Sequence, residues 1–449
     1  MCFKLGQVWQ SGGKVARDSL GRVPMWPINR SVMNNMSKKI VRSTCPVALL
    51  ATTALMSSAA GHTAPTSSTA KRVTRIEFTL DTRYDTNLAQ GGLDQAKARG
   101  LRRSDIRVTP GVALTVVRPF GRNTLQATAF AGYDIYARNS SLNSERLGLN
   151  GEVGLNFGPC LVNLRPSILR QQSRFSEIYY INTPGIDSIR NRETVQVYGG
   201  DVRCGRAYGL RPLVGYEHSI GDNSNSLRRY SDYRGDRYYA GVGYNNPSLG
   251  NYSLTYEHNR LVYPHRDSLL PASRLLDRYS GETIRLEGER ALGAVIKIKG
   301  SVAYYMIDPQ TAAVPKFRGV GWQLSGTVSP VSRVSVNLVA EHRPEPSLGA
   351  EALYSIDSRY RVQATYAVTP RTSVFAGAEY NRRDYRGATG IYGLLLTEDR
   401  ITRFNAGAAL ALTPRIKLTA EAGHERRNAN GGIYEYSNSY VGLGARYGF

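Results

Sequence analysis

From Arg75 onward the chain divides into segments of about 10 to 14 residues in which apolar side chains hold every second position. A repeat of two is the pitch of a β-strand whose two faces meet unlike surroundings. Ile416, Leu418, Ala420 and Ala422 share one parity, with Lys417, Thr419 and Glu421 between them. Just before, Phe404, Ala406, Ala408, Leu410 and Leu412 alternate with Asn405, Gly407, Ala409 and Ala411. Tyr360, Val362, Ala364, Tyr366 and Val368 oppose Arg361, Gln363 and Thr365, and Leu147, Leu149, Val153, Leu155 and Phe157 oppose Asn150, Glu152 and Asn156. One face avoids charge and the other is polar.

A soluble sandwich alternates in the same way, so the joins between segments carry the distinction. Eight are short and turn-like, at 119–123, 158–159, 205–207, 246–248, 290–293, 329–332, 369–371 and 413–415. Longer polar joins lie between them, among them 87–103, 173–191, 221–234, 263–278, 308–318, 344–354 and 386–399. Strict alternation of short and long is expected of hairpins pushed through a bilayer, where inner turns stay tight and outer loops are free to grow. The fold class is therefore all-β, a transmembrane antiparallel up-and-down barrel over residues 72–449. Counting one opening strand, eight tight hairpins and one closing strand gives about 18 strands, with 16 as second choice. Expected strands include 75–86, 208–220, 236–246, 293–306, 332–343 and 438–449.

No stretch after residue 60 approaches the roughly 18 apolar residues that a membrane helix needs. Upstream, Lys38, Lys39 and Arg42 precede an apolar run from Val47 to Met56 and a small-residue zone at Ser57–Ala60. That order is a secretory signal peptide, placed at 33–60. Residues 1–32 then read as an upstream segment preceding the true start, and 61–71 as a flexible Ser/Thr/Pro lead-in.

Composition agrees: 45 glycines, 29 tyrosines and 41% hydrophobic residues suit strands and tight turns. The formal charge of +23 falls to +16 once residues 1–64, with eight basic side chains and one acid, are set aside. The excess is scattered, with no basic helix or compact stripe, so nucleic acid is not an expected partner. Of four cysteines, Cys2 and Cys45 lie in the leader. Cys45 follows Arg42-Ser43-Thr44, which is no lipobox, and no CxxC with a neighbouring histidine suggests zinc. Cys160 begins one expected strand and Cys204 ends the next, both at the short-turn rim, so a disulfide between them is expected.

Parity also assigns the charges. Arg107, Arg285, Glu287, Glu289, Lys297, Lys299, Glu341, Arg361, Glu379, Lys417, Glu421 and Arg446 map to the inner face, a wet wall of mixed sign with a mild expected preference for anions. Glu217, Glu257 and Glu341 each precede a histidine (His218, His258, His342), but alternation sends Glu inward and His outward. With no serine elbow, HExxH or phosphate loop, no enzyme, cofactor or metal is expected. Aromatic girdles are expected at Tyr133, Tyr136, Tyr216, Tyr256, Tyr304 and Tyr380 on the outer side, and at Phe120, Phe157, Tyr208, Tyr244, Tyr447 and Phe449 on the inner.

The final segment, Val441, Leu443, Ala445, Tyr447 and Phe449 alternating with Gly442, Gly444, Arg446 and Gly448, resembles the terminal strand by which outer-membrane barrels are recognised by their assembly machinery. Tyr447 and Phe449 would then be the assembly signal, in the Gram-negative outer membrane. The exit of the first strand, Tyr84-Asp85-Thr86-Asn87, resembles the Tyr-Asp-Ser/Thr-Asn entry of β-barrel porins associated with exopolysaccharide secretion. The resemblance implies transport of polysaccharide or small solutes. A surface-lipoprotein assembly modifier opens its barrel similarly, but the helical repeats that precede it there are lacking. Two classes stay open: a channel, and a non-conducting surface or assembly barrel whose loops, such as 173–191 with Tyr179, Tyr180, Arg190 and Arg192, bind partners.

Overall fold

The computed structural model describes residues 72–174, 190–206, 208–266, 277–310, 314–347, 352–387, 396–430 and 434–449. The upstream segment, the signal peptide and the lead-in lie outside the described residues, as do Tyr179 and Tyr180.

The described residues form eighteen strands: β1 Val73–Asp85, β2 Asp105–Phe120, β3 Asn123–Tyr136, β4 Ser144–Phe157, β5 Cys160–Gln172, β6 Arg192–Cys204, β7 Gly209–Asn223, β8 Tyr233–Asn246, β9 Gly250–Val262, β10 Arg278–Leu292, β11 Ile296–Pro309, β12 Phe317–Val328, β13 Val334–Pro346, β14 Tyr354–Ala367, β15 Thr372–Arg386, β16 Glu398–Ala411, β17 Ile416–Ala429 and β18 Tyr436–Gly448. Each pairs antiparallel with its sequence neighbours, and β1 pairs with β18, so the sheet closes on itself. With strands about 4.8 Å apart and tilted about 40°, an 18-strand barrel measures roughly 35 Å across its backbone. Side chains alone do not fill such a bore.

Local chemistry fixes the tight ends. In the turn from β2 to β3, Gly121 takes φ +61°, and in the turn from β4 to β5 Gly158 takes φ +58°, values that glycine adopts without a Cβ clash. The repeated Thr-Pro-Arg turns use a different device. Thr369 Oγ1 accepts from the backbone N–H groups of Arg371 and Thr372, and Thr413 Oγ1 from those of Arg415 and Ile416.

The outward face is apolar and bare. Leu443 is 61% exposed, Leu210 70% and Phe404 56%, and similar side chains recur on every side of the barrel. Exposed apolar surface of this extent marks contact with lipid. Along β15 the outward positions from Tyr380 to Thr372 carry no charge, nor do those along β17 from Ala422 to Ile416. The closed sheet leaves no strand edge unpaired in hydrocarbon, as a membrane demands. This is an outer-membrane barrel, its short turns periplasmic and its long joins outside.

Two details differ from expectation. Several strands extend further outward, β7 to Asn223, β8 from Tyr233, β11 to Pro309 and β13 to Pro346. The apolar alternation stops where lipid stops, but ladder hydrogen bonds continue into water. Tyr136 does not join the outer girdle: it lies opposite Arg107 on the inner face and is 4% exposed. Tyr133 and Tyr136 are three residues apart, and an odd spacing puts them on opposite faces.

Candidate functional site

The inner face carries the chemistry. Ladder register places Arg107, Arg285, Glu287, Glu289, Lys297, Lys299, Glu341, Arg361, Glu379, Lys417, Glu421 and Arg446 all on the face opposite the bare apolar side chains. Glu217 and Glu257 share it, while His218, His258 and His342 lie on the outward face.

Adjacent strands supply opposite charges in turn. Across β14 to β17 one transverse row reads Arg361, Glu379, Arg403, Glu425. Arg361 Nε donates to Glu379 Oε2 at 2.6 Å, Arg403 bridges Glu379 at 2.5 Å and also pairs with Glu425, which accepts from Tyr436 Oη. One layer further out, Arg383 grips Asp399 with two nitrogens at 2.8 and 2.5 Å, and Arg427 meets the same carboxylate at 2.6 Å. Such bidentate forks fix orientation as well as charge.

Comparable knots continue around the wall. Glu257 accepts from Arg285 at 2.8 Å, and Arg237 donates to Glu217 at 3.1 Å. Asp201 joins Arg165 and Arg203, Asp134 joins Arg146 at 2.9 Å, Glu341 joins Arg359 at 2.9 Å, and Lys299 reaches Glu287 at 3.1 Å. Lys297 and Lys417 make no ion pair among the described residues. The inward cations and carboxylates are close to equal in number, so the wall is strongly polar but nearly balanced. Parity alone could have revealed Asp134, Arg146, Arg165, Asp201, Arg237, Arg403, Glu425, Arg383, Asp399 and Arg427. Which of them meet depends on the stagger between strands, and a single strand does not record it.

The outer mouth is built from joins that lean inward. Arg266, fully buried, stacks its guanidinium 3.5 Å above the Tyr263 ring. It donates to the backbone carbonyls of Tyr230 at 3.0 Å, Ala352 at 3.1 Å and Ser347 at 3.3 Å. Tyr263 Oη donates to the Ser347 carbonyl at 3.1 Å. Burial draws the Arg266 guanidinium below its usual pKa and pushes the Tyr263 phenol above its own. These contacts join the segments after β7, β9 and β13. Four strand steps separate β9 from β13, about 19 Å along the wall, so the two segments meet by leaning over the bore. Arg174, just past β5, interacts electrostatically with Glu425 on β17 and Tyr436 on β18, reached by crossing the opening rather than following the sheet. On the opposite side a short helix, α1 Leu93–Ala98, packs with Ala89, Leu101, Tyr136 and Leu142.

Of the loop residues singled out above, Arg192 faces outward at the top of β6 and meets Glu145 at 2.6 Å. Cys160 and Cys204 face each other at the periplasmic rim and are joined by a disulfide. Tyr447 and Phe449 sit on the outer surface of the seam, where Phe449 packs edge-on against Phe78 at 5.5 Å.

Residues 300–449 match the model of a family described as "Putative beta-barrel porin 2". A search of the curated proteins matched nothing. Solved structures that the chain resembles include three from Pseudomonas aeruginosa. The outer membrane protein OpdK has 11% identity and a TM-score of 0.42, covering 84% of this chain and 99% of that one. OccK2 (OpdF), solved in complex with glucuronate, has 9% and 0.44, covering 84% and 98%. The outer membrane protein OprD has 11% and 0.42, covering 86% and 96%.

Proposed function

We propose that this porin-like outer-membrane barrel is a passive, non-enzymatic channel for small polar and charged solutes, narrowed at its outer mouth by joins that lean over the bore. The observation that carries this reading is the ladder of paired arginines and carboxylates on the inner face. Buried charge has no advantage in a barrel filled with packed side chains, whereas a wall facing water tolerates and orders it. The alternating signs offer donors and acceptors at each step, suited to solutes that carry hydroxyl, amide or carboxylate groups. A mild anion preference rests on the basic residues of the outer joins, such as Arg102, Arg103, Arg138 and Arg174, because the inner wall itself is nearly balanced. Single-channel recording of the purified protein in planar bilayers tests this, and a barrel that passes no current overturns it.

Polysaccharide as the cargo is the finer proposal attached to the Tyr84–Asn87 resemblance. An acidic polysaccharide that blocks the open channel would support it, and a neutral outcome with open small-solute conductance would leave small solutes alone. The second reading, a non-conducting surface barrel, is favoured by one observation: the Tyr263–Arg266 knot packs the mouth densely. Tyr447 and Phe449, exposed at the seam, remain the proposed contact for the assembly machinery.

A further inference from the structure

We infer that the outward face of β15, β16 and β17 at the outer rim is a docking site for the phosphate groups of outer-leaflet lipid. Outward positions on these strands are uncharged through the belt, and then Arg382 and Arg400 stand directly opposite one another, with Arg426 one diagonal step away. Arg382 lies two residues beyond Tyr380, about 7 Å along the strand. Tyr360 and Tyr380 pack their rings at 6.4 Å just beneath, at the level where aromatic side chains meet headgroups.

Facing cations on neighbouring strands repel, so such a pair calls for a counter-charge. Part of it is local. Arg382 reaches Asp384 at 3.1 Å and Glu398 at 3.2 Å, and Arg400 holds Glu398 through Nε at 2.7 Å. Arg426 uses Nε on Asn428 at 2.9 Å. The terminal nitrogens of Arg400 and Arg426 make no hydrogen bond among the described residues, and both side chains are exposed toward the lipid side. Nearby Arg386, outward and exposed, adds a further positive charge. Two open planar forks above an aromatic row match a phosphate oxygen pair in shape and sign. Charge complementarity and depth together commit the site to a lipid phosphate rather than to a protein partner.

The test uses the full barrel in detergent, incubated separately with bis-phosphorylated lipid A, its dephosphorylated form and inorganic phosphate, with retained adduct read by native mass spectrometry. Phosphorylated lipid is expected to bind at least tenfold more tightly than the dephosphorylated form, with inorganic phosphate leaving it in place at equal concentration. An Arg400→Gln/Arg426→Gln variant, shown folded by its heat-modifiable gel mobility, is expected to lose that preference. Equal retention of both lipids by the wild-type barrel, undiminished binding by the folded variant, or displacement by inorganic phosphate would each overturn the assignment. The wild-type lipid series decides the matter even where the variant does not fold.

Discussion

Replacing Glu379 with glutamine removes the carboxylate that Arg361 and Arg403 share, while keeping the shape of the side chain. Both arginines are partly exposed, so solvent offsets much of the loss, and the stability change is expected to be only about 1–2 kcal/mol. The electrical effect is larger in consequence. One added positive charge on the wall, about 8 Å from the solute path and screened over about 10 Å at 0.1 M salt, contributes roughly 0.2 kcal/mol to the potential energy of a monovalent ion. Anions gain and cations lose that amount, so the anion-to-cation permeability ratio should rise about twofold. The assay is the reversal potential across a planar bilayer in a salt gradient. At 1 M salt, where screening acts over about 3 Å, the shift should nearly vanish. Adding Arg403→Gln should restore the wild-type ratio, and Glu398→Gln, on the outward face, should leave it unmoved. A conducting Glu379→Gln barrel with an unaltered reversal potential at low salt would refute the view that this row lines the ion path.

Arg266→Met leaves the carbonyls of Tyr230, Ser347 and Ala352 without their shared donor, so the mouth should loosen, raising unitary conductance and protease cleavage near residues 263–277; unchanged conductance would show that the knot does not narrow the bore. Ala420→Arg, on the lipid face, should cost roughly 2–4 kcal/mol in urea-driven unfolding from vesicles, while Glu421→Arg next to it should alter selectivity with little loss of stability. Equal penalties at the two positions would contradict the assigned faces. Intact-mass measurement should show the described barrel gaining two hydrogens on reduction, with Cys160 and Cys204 alkylated only afterwards.

The sheet was largely legible because one physical rule, alternation, writes itself into nearby residues. Strands such as β5 and β9 begin and end where the pattern of side chains changes. The same rule, applied without attention to odd spacing, misplaced Tyr136. The ladder was half legible: Arg361 and Glu379 follow from parity, but their link to Arg403 and Glu425 requires the stagger of four strands. The mouth left no local trace. Arg266 is one arginine in a polar join, and its partners at 230, 347 and 352 are brought to it only by the curvature of the whole sheet.

The pairing of β1 with β18 has a consequence for how the molecule is made. Glu77 meets Gly448 across a chain separation of more than 370 residues, while every other neighbour pair is a local hairpin. Hairpins can zip one after another as the chain folds at the membrane, yet two raw edges persist until the end. Joining them late makes the nine registered positions of that seam the last ladder to form. Until that moment each edge is a template for aggregation. The rate at which this protein matures should therefore be governed by its last event, and weakening the Phe78–Phe449 contact should slow maturation far more than an equal loss of packing inside any hairpin.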